Sequence, residues 1–179
     1  MLIHLVDANV EFFPKPSWSA ADALWLRSHC LPTPESVETS QRCATWAEQN
    51  GLALHVSFAL ADHFPEHPVH VRDRPTERTA ARSLNRTLWL STHRIEELED
   101  DLLGTQEGWV LSPFATPLSK LSHGSTIDRD RLFALPESVR SRTLLLGGVT
   151  PELYRLARDN GFCGTVTSGA GYSLTAAAF

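Results

Sequence analysis

Two short segments in the last third of the chain carry residue types suited to holding an anion. Leu144-Leu145-Leu146 runs into Gly147-Gly148 and then Val149-Thr150-Pro151-Glu152. Gly164-Thr165-Val166-Thr167 runs into Ser168-Gly169. Glycines at the carboxyl end of an apolar strand let backbone N–H groups approach a phosphate closely, and a helix start beyond them adds favourable polarity. Gly-Gly alone would be only a tight turn; two such loops on successive strands favour the anion reading, with Gly147, Gly148, Ser168 and Gly169 as its grip. Upstream, Ser112-Pro113-Phe114-Ala115-Thr116-Pro117-Leu118-Ser119-Lys120 offers a hydroxyl in Ser119 and a cation in Lys120, although a solvated lysine on a surface loop is the plainer alternative. Leu90-Ser91-Thr92-His93 ends another apolar run. His93 there could shuttle protons near neutral pH, or could simply help to cap the next helix.

Other histidines carry less. Of the eight, His63, His67 and His70 cluster in sequence, and three imidazoles on one rim would suit a transition metal. Strand alternation and loops scatter such positions, so they are read as satisfied or solvated. The net charge of −5 and pI of about 5.9 argue against a general polyanion binder, hence against a nucleic-acid partner, while leaving room for a local anion pocket. Cys30, Cys43 and Cys163 are odd in number and scattered, which suggests neither a zinc ribbon nor a disulfide framework. Met1–Phe13 has no basic segment ahead of its apolar run, and no stretch is apolar enough to span a membrane. A reducing cytoplasm is the expected location.

The positioning elements follow from hydrophobic patterning. Short apolar runs at Leu2–Val6, Ala23–Leu26, Leu52–Val56, Pro68–Val71, Leu88–Leu90, Gly108–Leu111, Thr143–Leu146 and Gly164–Thr167 read as buried parallel strands. Three helices are well marked between them: from Thr33-Pro34-Glu35 to Gly51, from Ile95 to Gly104, and from Thr150-Pro151-Glu152 to Gly161. Eight strands alternating with helices predict one domain, residues 1–179, folded as a compact (β/α)8 barrel. Barrels of this kind usually need about 200–250 residues. One or two helices are therefore expected to be reduced or missing, notably the first, because Asn9–Asp22 is too short for a full crossover; the stretch after Ala61 is also cramped. Trp18 beside Phe12 and Phe13 offers an interface patch over that gap, compatible with a homodimer; the remaining tryptophans are assigned to the core or the outer groove.

The ordered set Ser91-Thr92-His93-Arg94-Ile95-Glu96-Glu97, Leu111-Ser112-Pro113 with Ser119-Lys120, Leu146–Glu152 and Val166–Gly169 resembles the thiamine phosphate synthase family, which includes the thiazole tautomerases. The resemblance covers residues 68–170 well and 1–67 weakly. It implies a (β/α)8 barrel of thiamine biosynthesis that joins a thiazole phosphate to a pyrimidine pyrophosphate, with Mg2+ holding the departing pyrophosphate. It further implies that Gly148, Ser168 and Gly169 grip the thiazole phosphate, that Lys120 assists the leaving group, and that Arg27 contacts pyrophosphate. A tautomerase would instead use His93 as its acid–base group and need no metal. The sequence departs from the family pattern on the metal side. Arg27-Ser28-His29 stands where the family has Arg-x-Lys, His55-Val56 where it has Asn-Asp, and Asp73 is offset from the second acid with Arg72 and Arg74 beside it. Valine cannot ligate a hard cation. The usual carboxylate ligands are thus lost, with Arg72 and Arg74 as stand-ins for the metal's charge. A barrel that has kept a phosphate site without chemistry, or that serves as an interaction subunit, is the alternative of another class.

Overall fold

The computed structural model describes residues 1–8, 21–28, 30–100, 103–115 and 127–168. Eight parallel strands close into a barrel in sequence order: β1 (Leu2–Asp7), β2 (Ala23–Arg27), β3 (Ala53–Ser57), β4 (Val69–Val71), β5 (Leu88–Thr92), β6 (Glu107–Leu111), β7 (Thr143–Leu146) and β8 (Gly164–Ser168). β8 returns to β1 with Ile3 opposite Val166, so no edge is left open. This is a TIM barrel, as the strand pattern predicts. Every strand falls where the apolar runs placed it, within two residues at either end.

The helices are α1 (Pro34–Gln49), α2 (Pro75–Arg82), α3 (Ile95–Asp100), α4 (Arg129–Ala134), α5 (Glu137–Arg140) and α6 (Pro151–Asp159). α1 starts on a capping box: Thr33 Oγ1 accepts from the Ser36 amide at 3.2 Å, and the Thr33 amide donates to Ser36 Oγ at 2.9 Å. Between β3 and β4 the helix shrinks to a 3-10 turn, Phe58–His63, so the cramped stretch after Ala61 is indeed a reduced crossover. One guanidinium compensates for its missing turns. Arg86 donates to the carbonyls of Ala61 (3.0 Å), Phe64 (2.6 Å) and His67 (Nε, 3.0 Å), satisfying groups that a longer helix would have bonded internally. The expected absence of the first helix and the Trp18 patch fall outside the described residues. Among the described residues no helix is long and apolar enough to cross a membrane.

Side-chain alternation divides the sheet into two cores. Leu24, Leu26, Leu54, Val56, Val69, Val71, Leu88, Leu90, Leu111 and Leu145 face out toward the helices. Ile3, Trp25, Val110, Leu144 and Val166 fill the barrel. Following the register around the barrel groups the inward side chains into layers drawn from alternate strands, as in barrels of this type. Ile3, His55, Trp89 and Leu144 form one. Trp25, His70, Val110 and Val166 lie above it. Leu5, Ser57, Ser91 and Leu146 form the third, toward the strands' carboxyl ends. Below the first layer the bore is filled by Trp89, whose ring leaves room opposite only for glycine: a Cβ on Gly108 would stand 2.5 Å from Trp89 Cζ3.

Candidate functional site at the carboxyl mouth of the barrel

The third layer brings two hydroxyls, Ser57 and Ser91, into the interior between Leu5 and Leu146. Beyond it, the strand ends bring Asp7, Arg27, His93, Gly147 and Gly148 to one rim. Parallel barrels carry their chemistry at this face because the loops after each strand converge there.

Gly147 and Gly148 close β7 with φ of +97° and +63°, the left-handed region that side chains rarely occupy. Gly147 is also packed, since a Cβ there would lie 3.4 Å from Pro113. The carbonyls of Leu146 and Gly147 accept from the amides of Phe114 (2.8 Å) and Ala115 (3.1 Å). Among the described residues no loop or turn hydrogen bond uses the Gly147 or Gly148 amide. The β6 loop therefore takes the Leu146 and Gly147 carbonyls of this turn. β8 runs alongside: Leu146 pairs with Val166, and Ser168 closes the strand opposite Leu5. The two predicted segments are thus neighbours at the mouth. α6 begins just past them on a Thr150 cap, whose Oγ1 accepts from Leu153 N at 3.3 Å.

Arg27 ends β2 at the same rim, 3.5 Å from Asp7 Oδ2 of β1, with both side chains about one-third exposed. His93 follows β5. Its Nδ1 lies 2.7 Å from the Ser112 carbonyl, an acceptor, so the neutral ring carries its proton on Nδ1 and presents Nε2 as the lone-pair nitrogen. His93 Nδ1 is engaged with Ser112 and not with the start of α3, and Thr92 Oγ1 accepts from Arg94 N at 3.1 Å just ahead of that helix. Lys120, Ser119, Gly169 and His29 lie outside the described residues.

Two further groups at this end went unrecognised in the sequence. His70 Nε2 and Ser91 Oγ are 2.6 Å apart on adjacent strands, and the His70 ring lies 4.0 Å from that of Trp25. Alternation alone points both residues inward, and a histidine between two buried valines is the signal that could have revealed the pair. The other is Arg78 of α2, which binds Asp73 at 2.8 Å and Glu97 at 3.0 Å, donates to the Ser91 carbonyl, and lies over Trp109. Burial alone would raise the Glu97 carboxyl, but Arg94 and Arg78 hold it below the usual carboxylate range. Arg72 is engaged too, its Nε donating to Glu77 Oε2 at 2.9 Å. Of the residues proposed to replace or hold a metal at β4, Asp73 is bound to Arg78 and Arg72 to Glu77. Among the described residues no three His, Cys, Asp or Glu side chains gather closely enough to ligate an ion, and the histidine run His63, His67, His70 forms no such group. Among the described residues, the carboxylates at the β4 rim, Asp73 and Glu77, are thus both paired with guanidinium groups, a poor fit to Mg2+, which needs accessible oxygens. His55, the residue standing for the family's first contact at β3, lies inside the barrel, ring-stacked 6.2 Å from Trp89.

Comparison with solved structures gives full-length likenesses. Thiamine phosphate pyrophosphorylase from Pyrococcus furiosus aligns with a TM-score of 0.72 at 17% identity, over 99% of this chain and 90% of that one. The likeness is one of fold. Thiamine phosphate pyrophosphorylase from Bacteroides thetaiotaomicron gives 0.60 at 17% identity over 99% and 90% of the two chains. A structure described as native KDPGal gives 0.63 at 18% identity over 99% and 91%. No protein-family model matches the sequence, and no curated protein does.

Proposed function

We propose that the protein is a thiamine phosphate synthase-like barrel that binds a thiazole phosphate, with the phosphate on the Gly147–Gly148 turn and the end of β8. One observation carries this reading: a left-handed Gly-Gly turn beside β8, with the Leu146 and Gly147 carbonyls taken by Phe114 and Ala115 and, among the described residues, no loop or turn bond to its amides. Backbone donors fixed in that way bind phosphate without a net basic surface. Arg27 adds a fixed positive charge across the mouth, and Ser119, Lys120 and Gly169 complete the grip in this proposal.

Of the two reactions the resemblance implies, the geometry favours tautomerisation over coupling to a pyrimidine pyrophosphate. Coupling of the family's kind needs oxygen ligands for a magnesium ion, and Asp73 is already bound by Arg78. Tautomerisation needs one group that accepts a proton at one substrate atom and returns it at another. His93, with Nδ1 held on the Ser112 carbonyl, offers Nε2 for that exchange.

Calorimetric titration with thiazole phosphate and with inorganic phosphate tests the seat. Gly148→Asp should weaken both by about tenfold or more, since aspartate tolerates the left-handed backbone but brings a negative charge. Gly148→Asn, the uncharged counterpart, should retain most binding; equal loss in both variants, or no binding to the parent protein, refutes the site. His93→Ala should abolish thiazole tautomerisation with binding kept. EDTA should leave turnover unchanged. Metal-dependent coupling would instead establish the synthase reaction, and binding without either reaction would establish the non-catalytic barrel.

A further inference from the structure

The His70–Ser91 pair is unused by the phosphate reading, and its arrangement has the layout of a nucleophile above its base. His70, on β4, is only 9% exposed and lies against Trp25 in the second interior layer. Ser91, on β5, sits one layer nearer the mouth and is half-buried. The register sets His70 opposite Trp89, so Ser91 is the next inward position, and Nε2 reaches Oγ at 2.6 Å. Both residues belong to strands of a closed sheet, and Arg78 fixes the Ser91 backbone through its carbonyl. Such rigid support holds a reacting pair in geometry more firmly than a loop does. A serine hydroxyl is a weak nucleophile until a base takes its proton, and a buried imidazole within hydrogen-bond reach is the usual base. A pair serving only to satisfy two polar atoms could as well have been buried away from the opening.

We propose that Ser91 is a nucleophile activated by His70, giving the protein acyl-transfer activity toward small activated esters that enter the barrel mouth. The Ser91 Oγ proton passes to His70 Nε2 as Oγ adds to the ester carbonyl. The carbon–oxygen bond to the leaving alcohol then breaks, and that oxygen takes the proton from Nε2. Water, deprotonated by His70, cleaves the Ser91 ester to a free carboxylic acid and restores the hydroxyl. Gly147 and Gly148 follow β7, two strands along from β5 at the same end of the barrel, and in this proposal their amides receive the developing oxyanion. This activity does not depend on thiazole phosphate binding, so either reading can fail alone.

The test is covalent labelling with a fluorophosphonate probe, read by intact mass and peptide mapping. The wild-type protein should take one label, at Ser91. Ser91→Ala should take none, His70→Gln should label about 100-fold more slowly, and Ser138→Ala, at an exposed position, should match wild type. Circular dichroism shows whether each variant is folded. No label on folded wild type, labels spread over exposed serines, or an unchanged rate in folded His70→Gln overturns the proposal. Should either variant fail to fold, the wild-type map decides: a sole label at Ser91 supports the assignment, and any other pattern refutes it.

Discussion

His55 shows what a single polar side chain costs inside this barrel. It is 6% exposed, and burial, reinforced by neighbouring His67, pushes its pKa down to about 4. The neutral ring is therefore the folded form. Above the unfolded value of about 6.5 neither state is protonated, and stability is full. As pH falls from about 6.5 toward 4 the unfolded chain binds a proton that the folded one refuses, so stability drops. Below about 4 both states are protonated and the loss is complete, in total roughly 3 kcal/mol. Urea midpoints taken from above pH 7 down to about pH 4 should trace that fall, and His55→Phe should flatten it. An unchanged slope in the variant would mean that His55 is not the titrating group. Arg78 is the residue-scale counterpart on the outside of the sheet. It is the shared partner of Asp73 and Glu97 and a donor to the Ser91 carbonyl, so Arg78→Ala should cost roughly 1–3 kcal/mol by taking the ion-pair partner from Asp73, leaving Glu97 with Arg94 alone and freeing that carbonyl. Equilibrium denaturation measures that loss directly.

Among the elements, β6 is the one whose composition the interior dictates most tightly. Gly108 faces the Trp89 ring, and a Cβ there would meet Cζ3 at 2.5 Å, Cε3 at 2.7 Å and the Arg142 carbonyl at 2.9 Å. An indole wedged across the bore has no free end to swing aside, so Gly108→Ala should destabilise by roughly 1–3 kcal/mol, seen as a lower urea midpoint. The strands were legible because each is an apolar run bounded by turn residues. Helices α1 and α6 were legible because Thr33-Pro34 and Thr150-Pro151 are cap and first-turn signals that act within a few residues. α2, α4 and α5 were not marked out. Arg129–Ala134 and Glu137–Arg140 are too short to show a period, and α2 presents mostly polar residues, with Glu77 and Ala81 as its buried positions. The 3-10 turn after β3 escaped for another reason. Its closure depends on Arg86, more than twenty residues along, and no local pattern carries that information.

For the molecule as a whole, counting strands was enough to predict closure, and the rim positions of Arg27, His93 and Gly147–Gly148 followed from where each strand ends. Partnerships across the sheet were not legible. A sequence places His70 and Ser91 about twenty residues apart, and only the strand register brings Nε2 to Oγ. The same holds for the engagement of Asp73, which depends on how α2 packs over β4. Identity of 17% to barrels of the same architecture shows how little of the side-chain detail the fold itself demands.

Closure of β8 onto β1 has a consequence for how the chain comes off the ribosome. The Met1 amino group bonds the Cys163 carbonyl at 3.0 Å, 162 residues away, and the sheet is sealed only by that distant pairing. While synthesis proceeds, a growing sheet of up to seven strands carries two bare margins, each a template for wrong partners. The last strand works as a latch, and agents that delay its arrival should favour clumping of nascent chains over maturation.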